Sequence, residues 1–237
     1  MRKDKRQQKN PEGKQLKIFN MQTLEPDGSL TDGISKGDGS GDELSSRLEK
    51  QRALTENLLE KIVDDGNLNK AFKKVKENDG SSGIDEMEVD ELRQWFGNHL
   101  NEMRKALLRE QYSVSAVRKV EIPKPNGGTR MLGIPTVKDR FVQQAIHQEL
   151  NRYYDPYFSD NSYGFRPGRS THQAIFQATK YIREGYEWVV DIDLEKFFDK
   201  INHDRLMQRL SKGIGDKRLL RLINAFLKTG IMEGGLM

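Results

Sequence analysis

The spacing of apolar residues separates a polar N-terminal segment from a patterned remainder. Residues 1–48 are rich in Lys, Gln, Gly, Asp and Ser and carry few aliphatic side chains. Because such a segment cannot bury enough apolar surface to offset the entropy lost on ordering, we predict a disordered polar tail. A basic arm from Arg2 to Lys17 that touches nucleic acid is the alternative for part of this tail.

Helical periodicity begins at Glu49 and predicts a helical N-terminal extension over residues 49–112. Apolar residues recur every three or four positions, with breaks at Gly66 and at the loop-forming NDGSSGID of residues 78–85. We interpret the three resulting stripes as core. They consist of Leu54, Leu58, Leu59 and Ile62, then Leu68, Ala71, Phe72 and Val75, and then Val89, Leu92, Phe96, Leu100, Met103 and Leu107.

The pattern changes at Ser113, where short alternating runs replace helical spacing. VRKVEIPK and TRMLGIP flank a Pro-Asn-Gly-Gly turn, which predicts a β-hairpin. A helix is predicted from about Lys138 to Tyr154. Its inward residues are Phe141, Ala145 and Ile146.

The C-terminal part of the chain is predicted to contain further helices around one strand. Thr171 is expected to cap a helix with Ala174, Ala178 and Ile182 on its apolar side. The run from Glu187 to Asp193 predicts a buried strand. Helices are then expected around His203–Leu210 and Asp216–Lys228, so the chain as a whole has an α+β or α/β layout.

Composition restricts the functional classes. The chain has no cysteine, which excludes disulfides and thiolate metal sites. No apolar run approaches the roughly 18 residues of a membrane span, and the N-terminus lacks the apolar stretch of a secretory signal. We therefore expect a cytoplasmic protein with no membrane partner.

The charge distribution suggests a polyanion as a partner. The formal net charge is +4, but Ser113 to Arg183 contains eleven Lys/Arg against five Asp/Glu. Such an excess is typical of a surface that neutralises phosphates and releases counterions. An ordinary solvated face is the alternative.

Three short segments could carry chemistry, and the first is WVVDIDLEKFFD at residues 188–199. In a strand, Asp191 and Asp193 would share one face at the rim of a sheet, where carboxylates can bind a hard cation such as Mg²⁺. The alternative is a pair of solvent-facing acids beside core phenylalanines.

The other two segments are basic. In RKVEIPKPNGGTRMLGIP, a tight hairpin with Lys124 on one arm and Arg130 on the other could hold a triphosphate. In YGFRPGRS, Arg166 and Arg169 alternate with aromatic residues, a composition that suits a single nucleic-acid strand. Exposed basic loops without a ligand remain the alternative for both.

Taken in order, these segments resemble a known family. IPKPNGGTRMLGIPTVKDRFVQQAI, YGFRPGRSTHQAI and VVDIDLEKFFDKINHDRL are similar to the first three sequence blocks of reverse transcriptases of the group II intron maturase type. GSSGIDEMEVDEL resembles that family's N-terminal extension. The resemblance implies an α+β reverse-transcriptase fingers/palm fold, a partial right-hand polymerase. The helical extension would occupy residues 49–112, the fingers 113–186, and the start of a truncated palm 187–237.

The resemblance also implies roles for individual residues. Asp193 would be the catalytic carboxylate that binds Mg²⁺, together with the backbone carbonyl of Leu194. Phe198 would be the steric gate at the nucleotide sugar. The nucleotide triphosphate would be held by Lys124 and Arg130, and the template by Arg118, Arg166 and Arg169.

The implied function is RNA-directed DNA polymerisation from dNTPs on an RNA template with a DNA primer. It is combined with binding of group II intron RNA as a splicing maturase in intron mobility. The family's Tyr-Ala-Asp-Asp motif is not found in this sequence. The two-metal Mg²⁺ site is therefore expected to be incomplete, and the isolated chain inactive as a polymerase. An RNA-binding module without catalysis is the alternative, and an exposed edge at the expected palm strand suggests self-association.

Overall fold

The computed structural model describes residues 52–123, 125 and 127–232. The predicted polar tail, its basic arm and Lys124 lie outside the described residues. Within the described ranges, no helix is both long and apolar enough to cross a membrane.

The extension forms helices, as its periodicity predicts. Helix α1 (Leu58–Ile62) is followed by α2 (Asp65–Asn78), and a 3₁₀ turn (Val89–Glu91) leads into α3 (Leu92–Leu108). The prediction of a break at Gly66 is wrong by a few residues. Asp64 caps α2 by accepting a hydrogen bond from the Gly66 backbone N–H at 2.8 Å, so Gly66 lies inside the first turn of the helix.

The predicted hairpin is present and belongs to a three-stranded sheet. Strand β1 (Val117–Pro123) pairs antiparallel with β2 (Thr129–Ile134), and the short β3 (Ile231–Met232) pairs parallel with the start of β1. Gly127 and Gly128 have φ angles of 85° and 82° at the turn. Only glycine adopts such angles at little cost, so the two glycines permit the tight reversal.

Helices joined by loops make up the rest of the described chain. Helix α4 (Val137–Tyr154) runs into a 3₁₀ turn (Asp155–Tyr157), and α5 (Thr171–Arg183), α6 (Phe197–Lys200), α7 (His203–Gly213) and α8 (Lys217–Lys228) follow. The prediction that Thr171 caps α5 is wrong by one residue. Ser170 is the cap, because its side chain accepts the Gln173 N–H while Gln173 accepts the Ser170 N–H.

One hydrophobic core joins segments that are far apart in sequence. Leu58, Ile62 and Leu92 of the extension are fully buried, as are Phe141 of α4 and Leu219 of α8, and all belong to one cluster. The Phe96 and Phe141 rings lie 4.4 Å apart between centroids, in the range of favourable aromatic pairs. The core therefore crosses the domain boundaries expected at residues 112 and 186, which stay predictions.

The buried strand predicted for residues 187–193 is wrong. Residues 186–194 form neither helix nor strand, and the side chains of Trp188, Val189 and Val190 are 87%, 86% and 76% exposed. A strand is stable only when a neighbour satisfies its backbone, and the described part of the chain provides no neighbour for this segment. Ala178 and Ile182 of α5, which were expected to pack inward, are exposed as well.

Candidate functional site

Arg118 and Arg130 lie at opposite ends of the hairpin. Arg118 lies at the covered base, where it pairs with Ile134 on one side and Met232 on the other. Arg130 lies opposite Ile122 near the tip, where both strands are exposed. Arg118 and Ile122 are four positions apart, which corresponds to about 13 Å along a strand. The structure thus separates Arg118 from Arg130.

Arg118 faces a polar cleft of about 500 Å³. The cleft is lined by the loop after α2, by Arg118 and by Glu88, and its lining residues are Asp79, Gly80, Ser81, Ser82, Glu88 and Arg118. The Arg118 Nε is buried and has no hydrogen-bond partner among the described residues. A buried unpaired donor is costly, so an acceptor that reached this nitrogen would lower the free energy of the folded chain.

Arg166 is used within its own loop. Its Nε and Nη2 donate to the two carboxylate oxygens of Asp155 at 2.8 and 3.3 Å, and Nη2 also donates to the Asp155 carbonyl at 2.9 Å. Its Nη1 donates to the carbonyls of Ser159 and Ser162 at 2.7 and 3.1 Å. Since all five guanidinium donors are engaged and the side chain is 7% exposed, Arg166 orders the loop.

The ion pair of Arg166 with Asp155 shifts the pKa values of both groups. The hydrogen bond from Arg166 holds the pKa of Asp155 below its ordinary value, and the hydrogen bond to Asp155 raises the pKa of Arg166. The Phe158 ring lies 5.4 Å from the Arg166 Cζ and covers the guanidinium. Both groups therefore stay charged at neutral pH.

Arg169 is held more loosely. Its Nη2 donates to Asp160 Oδ1 at 3.1 Å, its Nη1 donates to the Asp160 carbonyl at 3.3 Å, and its Cζ lies 5.7 Å from the Tyr163 ring. The Asp160 side chain is 98% exposed, so this ion pair is weak and a phosphate can replace it. Phe165, at a positive φ of 56°, projects fully into solvent beside it.

The acidic segment is open to solvent. Asp191 and Asp193 are exposed, as is the Leu194 side chain, and Phe198 is 84% exposed with its ring 5.5 Å from that of Phe197. Lys196 adopts a left-handed φ of 51° and turns the chain into α6. Over the described ranges, no group of three or more acidic or histidine side chains is placed to hold a metal ion.

Two features were missed in the sequence. Asp155, the partner of Arg166, directly follows α4 in an Asp-Pro pair, a common turn signal, but nothing local indicates its partner. The cations of α7 and α8 recur with helical spacing. That spacing could have identified them as one face.

Comparison with known proteins places these elements in one family. The sequence model described as reverse transcriptase (RNA-dependent DNA polymerase) matches residues 122–235. That range includes most of the hairpin, the Arg166 loop and the Asp193 segment.

Curated proteins with similar sequences support the same family. Protein YkfC of Escherichia coli K12 is 35% identical over 65% of this chain and 42% of its own length. The group II intron-encoded protein LtrA of Lactococcus lactis is 34% identical over 69% of this chain and 27% of its own. Nuclear intron maturase 1 of Arabidopsis thaliana is 33% identical over 40% of this chain and 13% of its own.

The chain thus spans less than half the length of these curated relatives. Its helices and small sheet fit the α+β reverse-transcriptase fingers and palm. Motif order, family match and intron-encoded relatives agree on one assignment. Residues 122–235 belong to the reverse transcriptase family, and the chain is similar to reverse transcriptases encoded by group II introns.

Proposed function

We propose that this chain supplies the nucleotide- and template-binding part of an RNA-directed DNA polymerase. The observation that carries the proposal is the family match over residues 122–235, which includes most of the hairpin segment and all of the other two chemical segments, in order. The reaction is attack of a primer 3′-hydroxyl on the α-phosphate of a dNTP, with pyrophosphate leaving. The catalytic contribution expected from such a site is mainly positioning and charge stabilisation.

The nucleotide is held from two sides in this proposal. Arg130 and Lys124 bind the triphosphate at the hairpin tip, and Phe198 packs against the sugar and disfavours a 2′-hydroxyl. Arg130 is exposed and makes no ion pair with another described residue, and Phe198 is 84% exposed. Both side chains are therefore free to meet a ligand, which supports the proposal.

The template contact is divided among three arginines. Arg118 and Arg169 reach the strand directly, because one has an unpaired buried nitrogen and the other a replaceable partner. Arg166 acts through the loop that it orders, since its donors are already engaged. In this proposal Arg118 and Arg169 contact the template, and Arg166 positions the loop that carries Arg169.

Reverse transcriptases use divalent metal ions, and Asp193 with the Leu194 carbonyl is the proposed contribution of this chain to a Mg²⁺ site. The described residues alone do not fit a complete site, because no group of three candidate ligands forms among them. Further carboxylates must be added before a two-metal centre can exist.

The test compares two neighbouring carboxylates. We would express the longest open reading frame that contains this chain and measure primer extension on an RNA template. Asp193→Ala should lower the rate by about 100-fold or more, because even residues behind a metal ligand contribute up to that factor. Asp191→Ala, two residues away, is the control and should keep most of the activity. Equal losses, or full activity of the Asp193 variant, would overturn the assignment.

Binding of group II intron RNA in support of splicing is the second function that we propose. The excess of cations over residues 113–183 and the polar cleft at Arg118 favour it, and it requires no carboxylate. The experiment compares binding to the cognate intron RNA with binding to an unrelated structured RNA across a salt series. Selective binding that survives moderate salt supports this role, whereas equal and steeply salt-dependent binding to both RNAs contradicts it. The cytoplasmic location and self-association stay predictions.

A further inference from the structure

Helices α7 and α8 pack against each other, and each carries cations along one side. On α7, Arg205, Arg209 and Lys212 follow i, i+4, i+7 spacing, which places them on one face. On α8, Lys217, Arg221 and Lys228 follow i, i+4, i+11 spacing and share a face in the same way. We call these six residues the basic face of the helical pair.

The local charge is denser than in the fingers region. Residues 203–228 contain seven Lys/Arg and two Asp/Glu, whereas residues 113–183 contain eleven and five over a much longer stretch. Of the two acids, Asp216 is buried and paired with Arg218. Asp204 alone remains exposed to offset the basic face.

The cations of this face are largely unpaired. Arg205, Arg209, Lys212 and Lys217 are exposed, and their side chains form no hydrogen bond or ion pair with any described residue. Some exposed cations elsewhere do have partners, as Lys180 has Glu184 and Lys200 has Glu195. Like charges at i, i+4 destabilise a helix, and the pair of Arg205 and Arg209 has no ion pair with a described residue to offset that cost. Arg221 of the same face does pair with Glu110.

The apolar sides of both helices are already occupied. Leu210 of α7 packs against the core, and Leu219 of α8 is fully buried within it. A helix that binds a membrane surface needs a free apolar face beside its cations. Because the apolar sides of α7 and α8 pack against the core, the basic face fits a partner that is recognised by charge alone.

We propose that this basic face binds the phosphate backbone of RNA. The surface lies on elements separate from the hairpin, the Arg166 loop and the Asp193 segment, so it goes beyond the nucleotide and template contacts proposed above. Lysine and arginine on an exposed helix face neutralise phosphates without reading bases. The surface therefore anchors RNA independently of its sequence.

The test compares a variant that lacks three cations of the basic face with a control variant that lacks three cations elsewhere on the chain. The face variant is Arg205→Gln, Arg209→Gln and Lys212→Gln. The control variant is Lys70→Gln, Lys73→Gln and Lys105→Gln, which are exposed and make no ion pair with described residues. Glutamine keeps helix propensity, so both variants should fold, and circular dichroism with thermal melting checks this.

Binding of each full chain to a labelled duplex RNA is measured over a salt series, without nucleotide or primer. Each phosphate contact contributes about 0.7–0.9 to the slope of log affinity against log salt. The face variant should therefore have a slope that is shallower by about 2 to 3, with weaker binding at low salt. The control variant should keep the slope of the unmodified chain.

Equal slopes for the two variants, or no RNA binding by the unmodified chain, would overturn the proposal. Loss of binding to phosphatidylserine vesicles with an unchanged RNA slope would also overturn it, because the partner would then be a lipid surface. Failure of this proposal can be told apart from failure of the polymerase assignment. The RNA-binding assay uses neither primer extension nor the Asp193→Ala variant, so its result does not depend on polymerase activity.

Discussion

Asp216 is predicted to be the carboxylate on which the fold depends most. Its side chain is buried and accepts the backbone N–H of Leu59 at 3.0 Å, which ties α1 to the start of α8. It also caps α8 through the N–H groups of Arg218 and Leu219 at 3.0 and 3.4 Å, and pairs with the Arg218 guanidinium at 3.1 Å. Asp216→Ala removes all of these acceptors together.

The expected loss follows from those contacts. Removing a helix cap costs about 0.5–2 kcal/mol, and leaving the buried Leu59 N–H without an acceptor costs about 1–3 kcal/mol. Arg218 keeps its second partner, Glu60, at 2.7 Å, so its own loss is limited. We therefore expect Asp216→Ala to lower the free energy of unfolding by about 3 kcal/mol. For a chain of this size, the melting temperature should fall by about 6–12 °C.

Urea unfolding followed by circular dichroism measures this loss. Asp204→Ala is the matched control, because Asp204 lies in the first turn of α7, is exposed, and makes no side-chain hydrogen bond with another described residue. Its removal should cost less than about 1 kcal/mol, the size of a helix-dipole contribution. A loss below about 1 kcal/mol for Asp216→Ala, or equal losses for the two variants, would refute the reasoning.

The pH dependence gives an independent check. Burial alone would raise the pKa of Asp216, but the hydrogen bonds from Arg218, Leu59 and Leu219 hold it below its ordinary value. A carboxylate with a lowered folded-state pKa stabilises the fold above its unfolded value of about 3.9. That stabilisation is lost as the pH falls through the folded value. The stability gap between the unmodified chain and Asp216→Asn should therefore narrow below about pH 4.

Four further predictions concern other parts of the fold. Gly83→Ala should destabilise the chain in urea unfolding by about 1–3 kcal/mol, because a Cβ there would lie 2.6 Å from the Thr136 Cα. Gly97→Ala, which meets nothing within 4 Å inside α3, should instead stabilise it by about 0.5–1 kcal/mol, and a loss there would contradict the reasoning. Arg166→Lys should speed limited proteolysis of residues 155–170, since lysine cannot reproduce the five donors, and unchanged cleavage would contradict the ordering role. Trp188→Ser should reduce self-association measured by sedimentation, because Trp188 is 87% exposed, and unchanged association would exclude this surface.

Helices whose regularly spaced apolar residues are buried in the core were predictable from the sequence. Phe141, Ala145 and Ile146 were expected to face inward from α4, and all three are buried. The periodicity sufficed because a helix satisfies its own backbone, so local sequence determines it. The predicted strand at residues 187–193 failed for the opposite reason. A strand needs a neighbour, and an apolar run says nothing about which segment will pair with it.

The residues of the candidate site were likewise predictable only where local spacing determines their arrangement. Arg166 was identified as a residue of interest from its type and its aromatic neighbours. Its role depends on Asp155, eleven residues earlier, which becomes its partner only when the loop folds back. By contrast, Arg205, Arg209 and Lys212 follow a helical period, so the face that they form was readable without the structure.

The contacts between the segment that leads into α1 and the turn before α8 have a consequence for synthesis of the protein. Thr55 bonds to Gly213 and Gly215 at 3.0 and 2.9 Å, and these partners stand 158 and 160 residues later in the chain. A ribosome releases the N-terminal residues first, so α1 emerges long before Ile214 and Leu219 can complete its core. The extension of the nascent chain therefore exposes apolar side chains until Ile214 and Leu219 have been synthesised. Exposed apolar surface of this kind is what chaperones bind.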